Sequence, residues 1–160
     1  MLREQYYKTE VDSPSAIAEK GALCGSKLCI RFNEVTETLE VKWTGTVNSS
    51  EVRQAYSLIM ECVKQYKPVK WLLDFQGRER LKRADQRWVF TYFFPGALRE
   101  VRNDVFVAVV LPVSYSHELV QEMNGDELIQ GENFMIINHF MYREAAMRWL
   151  ALDESIKAGA

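Results

Sequence analysis

The stretch Val69-Lys70-Trp71-Leu72-Leu73-Asp74-Phe75-Gln76-Gly77 decides the reading of the fold. Its core, Trp71–Phe75, is a nearly uninterrupted apolar run, which suits a strand covered on both faces and paired in parallel. The strand ends on an acid and leads into a basic segment that opens a helix. In an α/β sheet, that carboxyl edge is where ligands bind. The sequence thus places a site before it reveals any chemistry.

Working outward, Leu28, Ile30 and Phe32 alternate with Cys29 and Arg31, and Leu39, Val41 and Trp43 alternate with Glu40 and Lys42. The polar link 33–38 joins these runs into a hairpin with one buried face. Asn48-Ser49-Ser50-Glu51 then supplies an N-cap with an acid three residues on. Val52, Ala55, Tyr56, Ile59, Cys62, Val63 and Tyr66 recur at helical spacing until Lys67-Pro68 ends the helix. Val105–Leu111 is a second apolar strand, closed by Pro112. Between the two central strands, residues 83–100 form a helical segment whose apolar residues go all round, with Pro95 expected to kink or interrupt it.

Residues 114–124 are expected as a short helix, and Gly125 and Gly131 bracket a variable link. Phe134–Ile137 reads as the final strand and Met141–Ala151 as the final helix. Residues 1–26 read as an N-terminal extension holding at most a short strand or turn, and 153–160 as a frayed tail. The predicted fold is α/β: a mixed four- to five-stranded sheet in one domain, 27–152. An N-terminal hairpin is followed by βα repeats, with helices mainly on one side.

Composition bounds the partners. The chain has 160 residues, 48% apolar and 26% charged, with a net charge of −2. Nothing global draws it to nucleic acid or anionic lipid. The start of the chain has no apolar leader, and no apolar stretch is long enough to span a bilayer, so no membrane insertion and a cytoplasmic location are expected. Cys24, Cys29 and Cys62 match no zinc spacing and are expected to be reduced, with a redox pair between Cys24 and Cys29 as the alternative.

The element order, the Leu72-Leu73-Asp74 strand end, the Pro112-capped strand Val105–Leu111 and the closing Phe140-x-x-x-Glu144-Ala145-x-x-Trp149-Leu150 pattern together resemble the STAS and SpoIIAA-like group of small α/β domains. The resemblance covers about residues 27–152. It implies a mixed sheet and a non-enzymatic role in binding proteins, lipids or small ligands. In the anti-sigma-factor-antagonist branch, a phosphorylated serine follows the central strand. The matching segment here, Lys82-Arg83-Ala84-Asp85, has no hydroxyl, so the resemblance does not carry a phospho-switch to this chain.

The edge instead offers Arg78, Arg80, Lys82, Arg83 and Arg87, interrupted by Glu79 and Asp85. Arginine forks near a helix start could hold a phosphate or carboxylate, although mixed charge runs are ordinarily solvated surface. Asp74 could orient a ligand or cap the next turn. Trp88, Phe90, Phe93 and Phe94 could wall an apolar pocket, form a homodimer face or pack in the core. His117 and His139 lack the companions of a hydrolytic triad or a metal site, and His139 reads as a cap or a solvent-facing residue. No dinucleotide or phosphate-binding glycine loop occurs, so no cofactor is expected.

The expectation is a non-catalytic binding or regulatory module, homodimeric, presenting residues 74–87 to a protein partner or anionic ligand. The alternative is a carrier of lipid or another apolar molecule, with an enzyme of unfamiliar type as a third reading.

Overall fold

The computed structural model describes residues 22–112 and 126–159, with side chains between 23 and 152 on either side of that gap. The expected helix over 114–124, His117 and most of the N-terminal extension lie outside the described residues.

Seven strands form one mixed sheet: β1 (Ala22–Cys24), β2 (Leu28–Asn33), β3 (Thr38–Trp43), β4 (Lys70–Asp74), β5 (Val105–Val110), β6 (Asp126–Gln130) and β7 (Asn133–Phe140). Their order is β1-β2-β3-β4-β5-β7-β6. β3, β4, β5 and β7 run parallel through the centre, while β1–β2–β3 and β6–β7 pair antiparallel. The sheet is therefore larger than the expected four or five strands. The additional strands are the edges, β1 from within residues 1–26 and β6 from the link between Gly125 and Gly131. Gly131 makes the second hairpin possible: with φ of +63° it opens the two-residue loop between Gln130 and Asn133.

Among the described residues there are four α-helices: α1 (Ser49–Tyr66), α2 (Arg83–Trp88), α3 (Phe94–Val101) and α4 (Arg143–Gly159). α1 starts with the expected reciprocal cap. The Asn48 Oδ1 accepts from Glu51 N at 2.8 Å, and Glu51 Oε1 accepts from Asn48 N at 3.0 Å. A π-helical turn, Val89–Phe93, joins α2 to α3, and Phe94 N donates to Val89 O across it. This is how the chain absorbs Pro95. Widening the ladder before the proline accommodates a residue that offers no N–H, and the helix continues rather than stopping.

Side-chain parity on the central strands divides the core. Trp71, Leu73, Val107, Val109, Met135 and Ile137 pack with α1, the π turn and α3. Leu72, Phe106, Ala108 and Val110 pack with Ala146 and Leu150 of α4 on the opposite face. The expected one-sided helices thus hold for α1 to α3, whereas α4 covers the other face. No described helix is long and apolar enough to cross a membrane.

The aromatic segment is largely consumed by this packing. Phe93 lies 4.6 Å from Tyr56 and 6.1 Å from Trp71 between ring centroids, and Phe94 is 2% exposed. Trp88 packs edge-on to Tyr56 and carries Arg53 over its face at 4.3 Å. Only Tyr92 of the rings in 88–94 is largely exposed, at 66%. Phe94→Ala should therefore lower unfolding free energy by about 3–5 kcal/mol, the usual cost of truncating a buried aromatic. Urea denaturation checks this; a change below about 1 kcal/mol would mean that Phe94 faces solvent or a second copy.

Candidate functional site at the carboxyl edge

Parallel register sets one row of side chains at the end of the sheet. Leu73 of β4 lies opposite Val109 of β5, which lies opposite His139 of β7. These three form the floor of a cavity of about 60 Å³, walled by Tyr56, Phe75, Val89, Phe90, Phe94 and Leu111. Arg78, Glu79, Arg80, Leu81 and Gln86 complete its lining. Of the aromatic residues that the sequence offered as pocket or dimer candidates, Phe90 and Phe94 line this cavity. Phe93 and Trp88 do not.

Two connecting loops hold Arg78 in place. Gly45 N donates to Gly77 O, and Glu79 N donates to Gly45 O, each at 2.8 Å. This bridge needs both glycines. Gly45 has φ of +89°, and a Cβ on Gly77 would lie 2.8 Å from the Thr44 methyl. The loop after β3 therefore clamps the loop after β4 on either side of Arg78.

The Arg78 guanidinium lies over two aromatic faces, its Cζ 4.0 Å from the Phe75 centroid and 4.7 Å from that of Trp43. Its Nε and Nη1 are buried and have no hydrogen-bond partner. Burial pushes the guanidinium below its ordinary pKa, opposed by the neighbouring Tyr56 hydroxyl, which hydrogen-bonds to it. It remains a cation at neutral pH. Burial likewise pushes the Tyr56 phenol up, so Tyr56 stays neutral and supplies no countercharge. Among the described residues, no carboxylate pairs with Arg78.

Asp74, for which the sequence offers either a ligand-orienting or a turn-capping role, belongs to the opposite face. Its Oδ1 accepts from Gln76 N at 3.2 Å, and its Oδ2 accepts from Arg143 at 3.4 Å. Arg143 also approaches Glu40, which Arg31 holds at 2.7 Å. Asp74 is therefore a turn cap that fastens α4, as one of its two readings required. Of the basic run, Arg78 and Arg80 reach the cavity, while Lys82, Arg83 and Arg87 are exposed. Asp85 is buried and accepts from the Ser49 hydroxyl at 2.8 Å, tying α2 to the start of α1.

His139 is the residue that sequence reasoning missed. The sequence suggests a cap or a solvent-facing group, but the alternation Met135, Ile137, His139 carries it onto the face covered by α1, the π turn and α3. Its Nε2 is buried without a partner, and burial pushes its pKa below the usual 6.5. The cysteines also differ from expectation. Cys24 and Cys29 face each other across β1–β2 and are joined as a disulfide, whereas Cys62 is free and buried, its thiol pushed up to about 12. Among the described residues, no cluster of three or more His, Cys, Asp or Glu side chains could hold a metal.

No family model, curated protein or solved structure matches the chain.

His139 gives the fold a defined acid response. Its pKa is lower folded than unfolded, so the unfolded state binds more protons as pH falls below about 6.5. Its contribution to stability is full above that value and is lost as pH falls toward the folded pKa. His139→Gln should therefore flatten the fall in urea midpoint below pH 6.5. Parallel pH profiles for variant and parent would show instead that His139 does not titrate differently on folding.

Proposed function

We propose that the chain is a non-catalytic binding module that holds a small anionic ligand in the cavity at the carboxyl edge of β4, β5 and β7. The observation that carries this reading is Arg78, a half-buried cation whose Nε and Nη1 are buried without a hydrogen-bond partner and with which no described carboxylate forms an ion pair. A buried charge in that condition costs free energy that folding alone has no reason to spend. An arriving anion supplies the missing partner through charge-assisted hydrogen bonds.

The cavity lining also favours binding over chemistry. Its polar groups are cationic, amide, phenolic or imidazole, with Glu79 at an exposed position. The alternative of a lipid carrier meets a volume objection, because 60 Å³ is far below the roughly 300–1,000 Å³ of sites that enclose larger ligands. Exposed Lys82, Arg83 and Arg87 follow Arg78 in the chain, and through them a protein partner could read whether the cavity is filled. This keeps the regulatory character of the STAS resemblance while replacing phosphorylation with ligand occupancy.

Thermal melts in sodium acetate, butyrate, phosphate and sulfate at constant ionic strength test the reading. At least one anion should raise the melting temperature saturably, as a ligand specific for the folded state must. Arg78→Met should abolish that rise while leaving the ligand-free protein as stable as the parent or more so, because it removes an unpaired buried charge. Lys82→Glu should leave the response intact. An anion response that survives Arg78→Met, or no saturable response to any of the four, overturns the proposal.

A further inference from the structure

We infer that Cys24 and Cys29 form a reversible redox site, which exchanges with low-molecular-weight thiols while the sheet stays folded. It involves none of the residues that line the anion cavity. Three observations lead to it.

The first is access. Among the described residues β1 is an outer strand of the sheet, and Cys24 on it is exposed, with Cys29 half-buried beside it. A disulfide sulfur open to solvent is within reach of an attacking thiolate, whereas the third cysteine, Cys62, is buried.

The second is that the bond adds little as a staple. Cys24 and Cys29 are register partners separated by 5 positions, and Gly25 N donates to Leu28 O at 2.8 Å inside the loop that they close. Leu23, Leu28 and Ile30 point the other way and are buried in the core with α1. Pairing and burial hold the two strands together with or without the bond, and a loop this short leaves little denatured-state entropy to remove. The same features keep two reduced sulfurs adjacent, so that the bond closes again.

The third is charge. Exposed Lys42 of β3 lies opposite Cys29 in the register, and Arg31 is two residues along β2 on the same face. The acids nearby are engaged: Glu40 holds Arg31 at 2.7 Å, and Asp74, opposite Lys42 on its other side, accepts from Arg143. Lys42 puts a positive charge beside the sulfur that leaves as a thiolate.

The exchange balances with a thiol as reductant. A thiolate attacks the Cys24 sulfur, the S–S bond breaks, and Cys29 leaves with the electron pair and takes a proton from water. A second thiol then displaces Cys24 from the mixed disulfide. The chain gains two electrons and two protons, and two thiols become one disulfide.

Glutathione buffers of graded reduced-to-oxidised ratio, applied to the folded full chain at neutral pH and followed by alkylation and intact mass, test the inference. Cys24 and Cys29 should pass together and reversibly between a bonded and a doubly labelled form, with an unchanged far-UV spectrum and no label on Cys62. Cys29→Ser should accumulate a glutathione adduct on Cys24. Lys42→Glu should slow opening of the bond by dithiothreitol, a neutral reagent, several-fold, and Cys62→Ala should exchange like the parent. If the bond opens only when urea unfolds the chain, or if reduction itself unfolds the sheet, the pair is a structural staple and the inference falls. It falls equally if both thiols stay reduced in oxidised glutathione.

Discussion

Parallel pairing of β4 with β5, and of β5 with β7, is the constraint on which the rest of the molecule depends. It puts three carboxyl ends side by side and aligns Leu73, Val109 and His139 in one row on the face covered by α1 and α3. The same pairing buries β4 and β5 on both sides, which explains why their sequences are nearly continuous apolar runs. Beyond the row, the chain must turn out of the sheet, and the loop at Gly77 is pinned to the loop at Gly45 by two backbone hydrogen bonds. Arg78 sits between those bonds. Its position is thus inherited from sheet register and loop closure rather than from any partner of its own charge.

That arrangement is costly by ordinary standards. Arginine is seldom buried without a carboxylate, and here the acids that could have served are used elsewhere. Asp74 faces α4 and Arg143, and Asp85 accepts from Ser49. Stacking on Phe75 and Trp43 and the hydrogen bond to Tyr56 offset part of the desolvation. They leave Nε and Nη1 unanswered. A local departure from polar satisfaction inside an otherwise consistent fold is where function is expected to reside. The π turn beside the same cavity is a second departure, placed where Pro95 would otherwise break the wall that carries Phe90 and Phe94.

Much of the fold was legible in the sequence because its signals are local. The Asn48–Glu51 cap, the 28–43 hairpin, the helix to Tyr66 and the two central strands all follow from spacing, and all are present. The edge strand β6 was not legible, and β1 only as one short strand or turn somewhere in residues 1–26. Asp126–Gln130 is short and half polar, and its strand character comes from pairing with β7 rather than from propensity. At the site, the edge could be placed, but no local signal distinguishes Arg78 from Arg80, Lys82, Arg83 or Arg87 in a run of five basic residues. Only the Gly45–Gly77 clamp, a contact between distant loops, selects it. His139 was within reach, since continuing the parity of Met135 and Ile137 by one step puts it on the buried face.

The central claim is that the Arg78 donors await an anion, and nitrogen-15 NMR of the arginine side chains tests it most directly. Titration with the anion that raises the melting temperature should shift the buried Nε–H resonance that disappears in Arg78→Met, with saturation and with little movement of the exposed arginines. An anion-induced shift confined to exposed arginines, or no shift at the Arg78 resonance up to high concentration, would contradict the account.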